Sequence, residues 1–144
     1  MIGYLDTSAF IPLLVAEPSS AACQRFWDLS DDVVSCRLLY VESAAALAQA
    51  HRMGRLDEGQ FRAASRLRGE FWQQINITEV DEKLAQSAAV FAERYALRGY
   101  DAVHCAAAAQ LEDPDLVAAS GDGKLLTAWK ALGIATFDAN APEQ

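Results

Sequence analysis

Hydrophobic positions along this chain recur with two spacings. Short apolar or β-branched runs are bounded by turn residues, and between them lie longer stretches in which apolar residues return every three or four positions. The first run, Ile2, Tyr4 and Leu5, suits a buried strand. It delivers Asp6 into a helix start, where Thr7 or Ser8 can cap a helix whose apolar face follows in Phe10, Ile11, Leu13 and Leu14. Glu17 to Ser20 breaks the pattern, and Ser19 or Ser20 caps a second helix carrying Ala22, Cys23, Phe26, Trp27 and Leu29. Residues 33–35 read as a second strand. A long helix then runs from Leu38 through Leu47 to a stop at Met53 and Gly54, with Glu42 early on it. Asp57 opens another helix through Phe61, Ala64, Leu67 and Phe71. Residues 75–80 alternate like a strand, and Asp81 caps a helix with Leu84, Ala88, Phe91 and Tyr95, closed by Arg98 and Gly99. An alanine-rich helix begins near Tyr100, with Asp101 in its first turn, and its small side chains imply close packing on a neighbour. Residues 116–119 and 134–137 read as the last two strands, separated by a turn at 120–123 and a helix that Gly133 stops. Asn140 to Gln144 read as a frayed tail.

Five short strands alternating with helices predict an α/β fold. The sheet is mostly parallel and five-stranded, with helices on both faces, because parallel neighbours need helical crossovers. A length of 144 residues, 52% hydrophobic, fits one domain spanning 1–144. No apolar run approaches the roughly 20 residues needed to span a bilayer, and the first residues lack a signal peptide's charged start and cleavage site, so the expectation is a cytoplasmic protein with no membrane contact. Cys23, Cys36 and Cys105 show no paired spacing and read as buried hydrophobes. Two histidines supply little for zinc sites or histidine-centred triads, which leaves carboxylates to carry the chemistry.

The net charge of −8 has the wrong sign for coating nucleic acid, so phosphate binding must be local. Five arginines between Arg52 and Arg68 form the positive stretch. Arg62, Arg66 and Arg68 read as a solvated face, whereas Arg52 and Arg55 flank a turn and are candidates to meet nucleic-acid phosphate. Asp6, Asp101 and Asp122 lie beyond strands or at helix starts, and Glu42 lies early on the helix after strand two. In a parallel α/β fold these positions share one edge of the sheet. Carboxylates gathered there repel, and a divalent cation relieves the conflict. Hard oxygen ligands point to Mg²⁺ or Mn²⁺, and that chemistry suits phosphodiester hydrolysis.

Four segments carry a resemblance. They are Ile2-Gly3-Tyr4-Leu5-Asp6-Thr7-Ser8-Ala9, the isolated Glu42, the run Tyr100-Asp101-Ala102-Val103-His104-Cys105-Ala106-Ala107-Ala108, and Ser120-Gly121-Asp122-Gly123-Lys124-Leu125. Together they resemble the four motifs of PIN-domain ribonucleases, and most closely those of VapC-type toxins from toxin–antitoxin pairs. The resemblance implies a PIN-like three-layer sandwich and a Mg²⁺- or Mn²⁺-dependent endoribonuclease with Asp6, Glu42, Asp101 and Asp122 as its acidic set. It implies further that Ser8 and Ser120 support that set by hydrogen bonding, that Asp6 and Asp101 hold a metal directly, and that Asp122 holds a second metal or a bound water. The resemblance also implies a VapB-type antitoxin, an RNA substrate (tRNA, rRNA or mRNA) and a homodimer. Glycines on both sides of Asp122 depart from the family pattern and imply a looser backbone there.

His104 reads as a packing or capping residue rather than a base, and Trp27, Trp72 and Trp129 as core or interface residues. Exposed apolar residues between Leu39 and Phe71 suit the groove that takes an antitoxin segment in such families. A phosphotransfer domain is disfavoured, because Ser8 stands where a dehalogenase-type site wants a second Asp. The remaining alternative is a catalytically weak PIN-fold binding module, which would tolerate Asp6→Asn and Asp101→Asn.

Overall fold

A computed structural model describes residues 1–141. Among these, β1 (Ile2–Leu5) is followed by a short helix, α1 (Thr7–Phe10), which tightens into a 3₁₀ turn at Ile11–Leu13. Then come α2 (Ser20–Leu29), β2 (Asp32–Cys36), α3 (Leu38–Arg52), α4 (Glu58–Trp72) and β3 (Asn76–Thr78). The chain continues through α5 (Glu82–Tyr95), α6 (Gly99–Ala109), β4 (Leu116–Ser120), α7 (Gly123–Ala131) and β5 (Ala135–Asp138). The expected elements are present, with strand three shortened from 75–80 to Asn76–Thr78. The tail is corrected in part: the Asn140 amide donates to the Gly121 carbonyl at 3.1 Å, while residues 142–144 lie outside the described residues.

All five strands are parallel, in the order β3-β2-β1-β4-β5, so β1 is central and the strand order reverses between β1 and β4. Successive residues of a strand face opposite sides, and the two cores follow that alternation. Tyr4 joins Leu84, Cys105, Leu125 and Trp129 on the face covered by α5, α6 and α7. Leu5 joins Phe10, Phe26, Leu39 and Leu47 on the face covered by the helices before β3. This is the three-layer α/β sandwich that the alternation predicted. The alanines of α6 do what their size suggested: Ala102, Ala106, Ala107 and Ala108 are buried among the residues of the first core.

One glycine is demanded by close approach. A Cβ on Gly3 would stand 2.3 Å from Ser30 Oγ and 2.9 Å from Phe26 Cζ, so only glycine lets the end of α2 lie this close over the middle of β1. The three cysteines are free and buried, as expected. Trp129 is fully buried, and Trp27 and Trp72 are half-buried against the second core. Among the described residues no helix is long and apolar enough to cross a membrane.

Candidate active site

The carboxyl edge of the sheet at the β1/β4 reversal is where an open α/β fold leaves a crevice. Asp6 follows β1 there. Rather than Thr7 or Ser8, Asp6 itself caps α1: its Oδ1 accepts from the Ala9 N–H at 3.1 Å and from Ser8 Oγ at 2.7 Å. Oδ2 accepts from Ser120 Oγ, also at 2.7 Å. Capping and site placement are therefore combined in one side chain. Asp6 is only 3% exposed, and burial raises its pKa against the opposing pull of His104, Ser120 and Ser8.

Ser120 ends β4 and also accepts from the Asp122 N–H at 2.9 Å, while Ser8 Oγ accepts from the Gly121 N–H at 2.7 Å. With the Gly121 carbonyl bonded to Asn140, the turn before α7 is held on both sides. The looser backbone expected from its two glycines is not what the structure shows. Asp122 caps α7 through Oδ1, which accepts from the Lys124 and Leu125 N–H groups at 2.9 and 3.4 Å. Its Oδ2 accepts no hydrogen bond from a described residue.

Asp101 sits in the first turn of α6, with its side chain 23% exposed and 3.7 Å from the Arg98 guanidinium. It accepts no hydrogen bond from a described residue. Its pKa is raised by partial burial and then by the negative charges of Asp122 and Asp6, which places the three aspartates in one electrostatic neighbourhood. Glu42, on the second turn of α3, reaches the same region from the other side. Its Oε1 accepts from Thr7 Oγ1 at 2.8 Å and lies 2.7 Å from His104 Nε2. Burial raises its pKa, but the bonds to His104 and Thr7 outweigh burial and hold it below 4.5. Glu42 and Asp101 line one open cleft of about 650 Å³ with Leu38, Val80, Arg98 and Tyr100. A second cleft, of about 520 Å³, opens at the amino edge between Pro114, Leu132 and Ala135 and contains none of the four carboxylates.

Among the described residues, the carboxylate oxygens here that accept no hydrogen bond are both of Asp101, whose Oδ2 is the one 3.7 Å from Arg98, together with Oδ2 of Asp122 and Oε2 of Glu42. Among the described residues, no three His, Cys, Asp or Glu groups are already gathered into a closed metal-ligating set. The electrostatics nonetheless fit a hard divalent cation, since the charges of Asp6 and Asp122 raise the pKa of Asp101 and a cation among them would relieve that repulsion.

The arginines divide differently from the sequence reading. Arg68 is not simply solvated: its Nε donates to Ser43 Oγ at 2.7 Å and its guanidinium lies 4.4 Å from the Tyr40 ring centroid. Arg62 pairs with Glu58 at 2.9 Å on the surface of α4. Arg52 is exposed at the last residue of α3, ten residues beyond Glu42 and therefore about 15 Å along the helix axis, with exposed Arg55 just after it. A cation that does lie beside Asp101 in the cleft is Arg98, expected from the sequence only to close a helix. His104, expected to pack or cap, is indeed buried, and it also bonds Glu42, which the sequence reading did not anticipate. The legible signal was its spacing from Asp101, since residues three apart share a helix flank.

Residues 3–128 match the PIN domain family. Over 130 residues, 90% of this chain and 90% of each relative, the sequence is 41% identical to Ribonuclease VapC45 and Ribonuclease VapC49 of Mycobacterium tuberculosis. The fold is similar to the crystal structure of Mycobacterium tuberculosis VapC20, a sarcin-ricin loop cleaving toxin, with a TM-score of 0.66 and 18% identity over 88% of this chain and 94% of that one. It is also similar to DNA-bound VapBC from Salmonella typhimurium, with a TM-score of 0.64 and 16% identity over 96% of this chain and 98% of that one.

Proposed function

This chain belongs to the PIN-domain family, and from that premise we propose that it is a Mg²⁺- or Mn²⁺-dependent endoribonuclease, the toxin of a VapBC-type pair that inhibits translation by cutting cytoplasmic RNA. The observation that carries the proposal is the set of carboxylates at the β1/β4 crevice, with Asp6 clamped between Ser8 and Ser120, on a chain 41% identical to VapC ribonucleases. Asp6, Asp101 and Asp122 are the residues that would hold the cation. When bound, the cation supplies charge neutralisation for the scissile phosphate and acidifies a water.

The protein's own residues do the rest. Ser8 and Ser120 use both carboxylate oxygens of Asp6 and leave it one orientation. Glu42 Oε2, which accepts no hydrogen bond from a described residue, is the oxygen that accepts a hydrogen from the attacking water and aims it. Arg98 beside Asp101 meets RNA phosphate at the cleft mouth. Exposed Val80 and Tyr100 line that cleft, and exposed Val41 precedes Glu42 on α3; they suit a VapB-type antitoxin segment that covers the carboxylates when the toxin is neutralised. The toxin acts as a homodimer.

The test is cleavage of end-labelled tRNA and rRNA by the purified chain with Mg²⁺ or Mn²⁺, beside an EDTA control and Asp101→Asn. Discrete fragments that need both the metal and Asp101 support the nuclease, and their ends identify the target. Identical products from wild type and variant, with or without metal, sink it and favour a binding module.

A further inference from the structure

His104 is 1% exposed, yet both of its ring nitrogens are partnered, and the partners lie on three different elements. Nδ1 meets Tyr4 Oη of β1 at 2.7 Å and lies 3.7 Å from Cys36 Sγ at the end of β2. Nε2 meets Glu42 Oε1 of α3 at 2.7 Å. An ionised carboxylate only accepts, so Nε2 carries a hydrogen toward Glu42 in either protonation state of the ring. Glu42 Oε1 thus takes two donors, His104 Nε2–H and Thr7 Oγ1–H, and Oε2 takes none from a described residue.

That asymmetry matters chemically. A glutamate on a helix has three rotatable side-chain bonds, and the negative charges across this crevice would push an untethered carboxylate toward solvent. Two donors on one oxygen remove that freedom and leave the other oxygen without a donor among the described residues, on a side chain that lines the cleft. We propose that His104 is a positioning residue: with Thr7 it pins Oε1 of Glu42, so that Oε2 alone is presented to the water and RNA in the cleft, while Tyr4 fixes the imidazole ring from behind. This rests on the ribonuclease reading above. The role is carried through Glu42, and His104, enclosed by α6, β1 and β2, does not touch the RNA.

The experiment is steady-state RNA cleavage by the full chain under the metal conditions that support wild-type activity, with variants at both positions. His104→Leu is expected to lower kcat about 10- to 100-fold with KM nearly unchanged. His104→Gln keeps an amide N–H near the position of Nε2 and recovers most of that loss. His104→Asn, whose shorter amide stands in for Nδ1 and falls short of Glu42, does not. In a Glu42→Ala background, His104→Leu changes kcat by less than about twofold, because the group it positions is already gone. In ¹⁵N-labelled wild type without metal, Nε2 carries a proton protected from exchange, and Glu42→Ala releases it. His104→Leu with wild-type kcat, losses that multiply in the Glu42→Ala background, or Asn and Gln changing places would each overturn the proposal. If His104→Leu does not fold, the Gln and Asn pair decides. Wild type that cuts no RNA with metal defeats the ribonuclease reading itself, and the Nε2 proton then still tells whether His104 holds Glu42.

Discussion

Ser120 Oγ donates to Oδ2 of Asp6 at 2.7 Å, joining the end of β4 to the end of β1 across the point where the strand order reverses. The same hydroxyl accepts from the Asp122 N–H, so one buried side chain orients two of the site's acids. Ser120→Ala leaves the buried Asp6 carboxylate short of a donor and frees the Asp122 turn. A loss of about 1–3 kcal/mol in urea unfolding is expected, with a drop of about 10- to 100-fold in RNA cleavage at saturating metal. A variant as active and as stable as wild type would show that the clamp is not used.

Partial burial of Asp101, together with the repulsion from Asp122 and Asp6, has a pH signature in metal-free protein. Its folded-state pKa lies above the ordinary value of 3.8, so the unfolded chain releases this proton first. The contribution to stability is therefore full below pH 3.8 and is lost as pH rises through the folded-state value. Asp101→Asn removes it, and the difference in Tm between variant and wild type, measured in EDTA, should grow in the variant's favour as pH rises from 3.8 through the folded-state value and level off above it. Glu42 titrates in the opposite sense, its stabilisation present above pH 4.5 and lost below. A constant difference across the range would contradict the electrostatic assignment.

Added Mg²⁺ or Mn²⁺ should raise the wild-type Tm, because a ligand that binds only the folded state stabilises it by mass action. Asp101→Asn should abolish most of that rise while keeping the fold. Calorimetry in matched buffers gives both quantities, and an undiminished rise in the variant would move the metal elsewhere.

Arg98 and Arg52 separate two placements of the RNA. Arg98 lines the cleft with Asp101, whereas Arg52 ends α3 at the far side. Arg98→Ala should raise KM several-fold and flatten its salt dependence, with Arg52→Ala close to wild type. The reverse order would mean that the substrate follows the turn after α3 instead.

Gly3→Ala should destabilise the chain by about 1–3 kcal/mol, since its Cβ lands on Ser30 Oγ and Phe26. Ser30→Gly removes the nearer clash, so the double variant should recover part of the loss in denaturant titrations. Equal losses in the single and double variants would place the strain at Phe26 alone.

Local chemistry wrote much of this protein openly. Asp57 and Asp81 each cap the helix that the sequence placed after them. Asp6 caps one too, although Thr7 and Ser8 were equally plausible there, because all three side chains can present an oxygen to the next turn. Strand three was overread at 75–80 because alternation continues past the point where β2 stops offering partners: pairing ends with Cys36 opposite Thr78. The tail was misjudged for a related reason, as Asn140 finds its partner in Gly121, nineteen residues back.

The sequence by itself determined the alternation of strands and helices, the parallel sheet that alternation requires, and the arrival of four acids near one edge of it. These follow from spacing, capping and strand–helix order, which act over a few residues at a time. Only the tertiary structure decided which groups meet. It assigned Ser8 and Ser120 to opposite oxygens of Asp6, His104 and Thr7 to a single oxygen of Glu42, and Arg98 rather than Arg52 to the carboxylate cleft. These contacts join residues up to 114 positions apart. They are set by strand order, by the flank of α6 that faces the sheet and by the direction in which α3 leaves it, and no local pattern encodes any of the three.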